Sequence, residues 1–87
     1  MKKIQTEVGY VAYLTTTEEI RIVGGRGLCD DCNRFQIHGG YLVPVLNYWM
    51  CEDCFNTWLS RARYYPEDIS YEQETAKYYE TRIPLTD

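Results

Sequence analysis

Four cysteines form the pattern in this chain with the most chemical content: Cys29, Cys32, Cys51 and Cys54, arranged C-x2-C-x18-C-x2-C. Two residues between paired cysteines let both sulfurs reach one ion from a tight turn, and the separation of the pairs falls within the range of zinc sites. Four thiolates complete a tetrahedron around Zn2+ and leave no open position, so the spacing predicts one structural zinc. The same donor set accommodates iron. Met1-Lys2-Lys3 leads into Ile4-Gln5-Thr6-Glu7 rather than into an apolar run, so no secretory signal is read and a reducing cytosolic setting is expected. In that setting paired cysteines serve metal or redox chemistry more often than structural disulfides. A redox dithiol of the thioredoxin kind would need a βαβ pattern, which the sequence lacks.

The residues after each pair differ. Asn33 follows Cys32, and Asn is second to Gly in tolerating the positive φ that closes a metal-binding turn. Cys29 to Asn33 therefore reads as a knuckle. Phe55 follows Cys54 and disfavours that conformation. Instead Cys51, Phe55, Trp58, Leu59 and Ala62 recur at helical spacing, one apolar stripe. Acids open this segment and arginines close it, as the helix dipole favours. Between the pairs, Arg34–His38 and Tyr41–Met50 read as strands around a Gly39-Gly40 turn. Pro44 marks an edge or a bulge in the second strand.

Knuckle, hairpin, then a helix carrying the last two cysteines resembles the treble-clef group of zinc fingers over roughly residues 28–64. The resemblance implies ligands Cys29 and Cys32 in the knuckle, and Cys51 and Cys54 at the helix start. It leaves function open, because treble clefs serve protein binding, nucleic-acid binding and sometimes catalysis.

The flanking elements must support this finger. Eighty-seven residues make at most one domain, with a core small enough to need a staple. Residues 1–23 read as a β-hairpin, from the alternation of Ile4, Thr6, Val8, Tyr10, Ala12 and Leu14. Thr15–Glu18 is its expected turn, and Ile20, Ile22 and Val23 its returning strand. Gly24–Gly27 reads as a linker, the cysteine segment as 28–65, and 66–87 as an acidic tail. In the tail Ser70 is the expected N-cap, with Gln73 completing a capping box. Tyr71, Thr75, Tyr78 and Tyr79 would share one face. The expected fold is a small α+β zinc-binding domain: N-terminal β-hairpin, treble-clef finger and C-terminal helix.

Other chemistry-bearing residues have plainer readings. His38 reads as a solvated residue beside a turn. Trp49 and Trp58 read as core before they read as base-stacking platforms. Asp30, Asp31, Glu52 and Asp53 are taken as exposed residues between ligands. Arg61 and Arg63, two positions apart, would not share a helix face. Tyr64, Tyr65, Tyr71, Tyr78 and Tyr79 read first as core that packs the tail helix on the finger, with a partner-binding surface as the alternative, because Tyr is enriched at interfaces. No nucleophile–base pair or cofactor loop is visible, so no enzyme is expected. No run reaches membrane-spanning length.

The net charge is −4, and the tail alone contributes −4. The leading expectation is a cytoplasmic protein-interaction module or small adaptor with an unidentified protein partner. A nucleic-acid binder using Lys2, Lys3, Arg34, Arg61 and Arg63 is the second reading. A small acidic inhibitor of a nuclease or other nucleic-acid-binding protein, of the kind phages and mobile elements carry, is a third reading.

Overall fold

A computed structural model describes residues 1–86; Asp87 of the acidic tail lies outside them. The chain runs β1 (Lys2–Gln5), β2 (Val11–Thr15), α1 (Thr17–Ile22), β3 (Gly40–Val43), β4 (Tyr48–Met50), α2 (Glu52–Arg61), a 3₁₀ turn (Pro66–Asp68) and α3 (Ile69–Glu80). The strands form one antiparallel sheet in the order β1-β2-β3-β4. It is a small α+β fold, as expected, but the two hairpins are joined into a single sheet.

The N-terminal hairpin closes earlier than the alternation suggested. Its turn is Thr6–Tyr10, where the Thr6 N–H donates to the Tyr10 carbonyl at 3.0 Å and Gly9 has φ 120°. The expected turn at Thr15–Glu18 and returning strand at Ile20–Val23 are replaced by α1. Local chemistry explains this. Thr16 is an N-cap in a full capping box, its hydroxyl accepting from the Glu19 N–H while the Glu19 carboxylate accepts from the Thr16 N–H. A reciprocal cap satisfies two otherwise orphan donors and outweighs the modest strand preference of Ile20 and Ile22.

The second hairpin is also shifted. Arg34–His38 forms no strand beyond an isolated Leu28–Phe35 bridge. Gly40 is inside β3, paired opposite Thr15, and the reversal falls at Pro44–Asn47, with Asn47 at φ 55°. Pro44 sits in this turn, where its missing N–H costs nothing. Glycine is required there by the close approach of β4, because a Cβ on Gly40 would lie 2.6 Å from the Met50 carbonyl and 3.0 Å from the Trp49 ring.

Strands β2–β4 are buried on both faces, while most of β1 is exposed. Tyr13, Leu42 and Trp49 join Met1, Ile20, Ala76 and Ile83 in one cluster, with α1 and α3. Ala12, Val43 and Met50 join Cys29 and Phe55 in the other, beneath α2 and the knuckle. Tyr41 stacks on Phe55 with ring centroids 4.2 Å apart.

α3 follows the Pro66–Asp68 turn directly, so Ser70 lies inside the helix rather than capping it. Its buried face holds Glu72 and Ala76, followed by Ile83, whereas Tyr71 and Tyr78 are exposed. Three acids of the tail face the sheet. Asp68 accepts from the Tyr10 hydroxyl at 2.8 Å, Glu72 from the Val11 N–H at 3.0 Å, and Glu80 from the Tyr13 hydroxyl. The tail's charge is therefore partly a docking device and not simply a solvated face. Among the described residues no helix is long and apolar enough to cross a membrane.

Candidate metal centre

Each cysteine pair is built by local backbone chemistry. In the knuckle, the Cys29 N–H donates to the Arg34 carbonyl at 3.0 Å, and the Asn33 N–H donates back to the Cys29 carbonyl at 2.8 Å. Asn33 has φ 62°, the conformation its residue type suggested. In the second pair, Cys51 is the N-cap of α2, and its sulfur takes the place of the usual capping oxygen by accepting the Cys54 N–H at 3.5 Å. The knuckle repeats this contact, with the Cys32 N–H donating to the Cys29 sulfur at 3.4 Å. Amide donors aimed at sulfur stabilise the thiolate form that a metal requires.

Tertiary structure brings the pairs together. The four Sγ atoms all lie within 4.8 Å of one another, and the cysteines are free thiols. Bonds of about 2.3 Å in a tetrahedron set neighbouring sulfurs about 3.8 Å apart. Cys32 and Cys51 Sγ are 3.9 Å apart. A disulfide needs about 2.05 Å. The arrangement can bind a metal ion.

Without a cation the thiols compete. Burial raises the Cys29 pKa, but the backbone N–H groups of Cys32, Cys51 and Asp31 outweigh it and bring the thiol down to about 7. The Cys51 sulfur, and then burial, push Cys54 up. Burial raises Cys51 as well. The first thiolate thus opposes ionisation of the others, and a bound cation removes that opposition.

The other candidate residues separate. His38 is exposed and outside the sulfur group. Trp49 is core and its indole N–H donates to the Thr15 carbonyl at 3.3 Å. Trp58 is only partly buried. Of the five tyrosines, Tyr64 packs against Tyr10 at 4.9 Å between centroids, and Tyr79 packs on the core and donates to Asn47 Oδ1 at 2.7 Å. Tyr64, despite that contact, is exposed, as are Tyr65, Tyr71 and Tyr78. Arg61, the last residue of α2, and Arg63, beyond its end, do not share a helix face but line one groove.

Two structuring residues escaped the sequence reading. Asp30 binds Trp49 and so links the knuckle to the strand that leads into Cys51. Tyr10 pins the crossover between α2 and α3, its hydroxyl accepting the Tyr65 N–H at 2.9 Å while donating to Asp68. Their spacings, 19 and 55 residues or more, leave no local signal.

Comparison with protein-family models, with curated proteins and with solved structures found no match to this chain.

Proposed function

We propose that this chain is a small non-enzymatic protein-interaction module of the treble-clef kind, held together by one structural Zn2+. The observation that carries the metal half is the convergence of four sulfurs within 4.8 Å, one of them, Cys29, wholly buried. Four thiolates fill the coordination sphere, which suits a structural role and leaves no place for substrate. The treble-clef reading is supported by the order of parts: knuckle, the β3–β4 hairpin, then α2 with Cys51 and Cys54 at its N-terminus.

The interaction half draws on Tyr65, Tyr71 and Tyr78, each 47–49% exposed. Tyr is among the residue types enriched at the centres of interfaces. An acidic inhibitor is less well supported, since Asp68, Glu72 and Glu80 are engaged by the sheet.

Elemental analysis of protein purified without added metal should find one zinc per chain. Removal by a strong chelator should abolish the cooperative melt, because zinc-finger sites contribute on the order of 10–16 kcal/mol, as much as a small domain's entire stability. A metal-free chain with an unchanged melt would sink the metal half. The interaction half is tested by sedimentation of the zinc-loaded chain with and without its co-purifying protein. A chain that never enters a stoichiometric complex contradicts it.

A further inference from the structure

The C-terminal end of α2 creates a surface that the helical pattern conceals. The helix stops at Arg61, and Ala62 is extended, with φ −69° and ψ 147°. On a continuing helix Arg61 and Arg63 would point about 200° apart. The extended residue instead takes Arg63 off the helix, and both arginines line a groove of about 420 Å³ with Tyr10, Val45, Trp58 and Tyr65. Tyr10 anchors the floor, its ring nearly fully buried and its hydroxyl engaged at both ends. The one acid lining the groove, Asp68, accepts a hydrogen bond from that hydroxyl. Among the described residues neither arginine forms an ion pair.

The geometry points to this groove as the docking site for an acidic segment of a partner protein, one that seats an apolar side chain against Trp58 and Tyr65 and sets its carboxylates on Arg61 and Arg63. The inference rests on the interaction-module reading and adds the chemistry of the partner. Charge complementarity selects the occupant. The groove is a local excess of positive charge in a chain of net charge −4. Arginine receives carboxylates through paired N–H donors, and Arg and Trp are the residue types that dominate interface energies. A nucleic acid is a poorer fit. Two cations release few counterions, so a phosphate backbone would gain little there. Binding of one zinc by four thiolates would lower the net charge further.

The test uses the full, metal-loaded chain labelled with 15N. The probes are acetylated nonapeptides carrying one central Leu, Phe or Trp flanked by Asp and Glu, the same peptides with Lys in place of the acids, and a thymidine dodecamer. The acidic peptides should shift the amide resonances of Trp58, Arg61, Arg63 and Tyr65 saturably, and the lysine peptides should not. Arg61→Glu with Arg63→Glu should weaken binding by about tenfold or more while metal content and the remaining spectrum are retained. Arg61→Gln with Arg63→Gln serves if the charge reversal disturbs the fold. The groove proposal is overturned if no acidic peptide shifts these resonances at millimolar concentration, or if both arginine variants bind unchanged. Tighter binding of the dodecamer there would also overturn it. Peptide shifts confined to Tyr71 and Tyr78 would overturn the groove and leave the interaction module standing.

Discussion

Asp30 grips Trp49 at two points. Its backbone N–H donates to the Trp49 carbonyl at 2.9 Å, and its carboxylate accepts the Trp49 N–H at 2.8 Å. Asp30 lies between Cys29 and Cys32, and Trp49 two residues before Cys51, so this clamp sets one cysteine pair against the other. Asp30→Ala leaves the Trp49 N–H without its partner, a loss of about 1–3 kcal/mol for a buried donor. Metal affinity should fall by roughly tenfold or more, as for residues that orient ligands without touching the ion. Competition against a chromogenic chelator measures this. Unchanged affinity would show that the cysteine pairs find each other without the clamp.

Cys51 has two roles, sulfur donor and N-cap of α2. Cys51→Ser keeps a capping oxygen, since Ser is a preferred N-cap, but removes a thiolate. The variant should therefore lose tight metal binding yet regain most α2 helicity in a helix-promoting cosolvent. Cys51→Ala should regain less, by a cap contribution of about 1 kcal/mol. Circular dichroism of the two chelated variants separates the roles; equal helicity would dismiss the capping role.

The docking of α3 should depend on pH. The Tyr13 hydroxyl, opposed by burial and helped by Lys3, holds the Glu80 carboxyl below its usual value. A depressed carboxylate contributes stability above its unfolded pKa of about 4.3, and that contribution is lost as pH falls through the folded value. Burial, with Glu80 beside it, raises the Tyr13 pKa. Its contribution is present below the unfolded value of about 10 and is lost as pH rises past it. Glu80→Gln should cost about 1 kcal/mol at neutral pH, and its difference from wild type should shrink as the solution is acidified. Tyr13→Phe should flatten the alkaline limb of the Tm–pH curve. A Glu80→Gln deficit constant from neutral to acid pH would refute the linkage.

Gly40 is where the two hairpins fuse. An added methyl meets the Met50 carbonyl at 2.6 Å, and backbone cannot yield as a flexible side-chain tip can. Gly40→Ala should cost roughly 1–3 kcal/mol, the range of overpacked cores. Urea unfolding of the metal-loaded protein reads this directly. A neutral result would mean that β3 slides on β4 to make room.

The legible parts of this protein are those set by neighbours in sequence. The knuckle turn with Asn33, the start of α2 at the second cysteine pair, and the stripe on which Phe55 is buried follow from residues a few positions apart. Such contacts are formed by short closures with small entropic cost, so residue type and spacing suffice to anticipate them. Thr16 with Glu19 carried an equally local helix signal, which the alternation through Leu14 masked.

The tertiary structure alone decided the rest. Ala12 and Tyr13 are both buried because β2 is central and covered on both faces, so a one-faced alternation misplaces the turn that follows. Ser70 lost its expected capping position because the crossover from α2 enters α3 through Pro66–Asp68, pinned by Tyr10 far away in the chain. The convergence of Arg61 and Arg63 depends on where α2 stops, and Tyr64 packs beyond that end against Tyr10. The sequence by itself named the four sulfurs. Their closure into one group rests on sheet register and on the clamp of Asp30 to Trp49, long-range pairings whose free energy appears only once the intervening chain has been ordered.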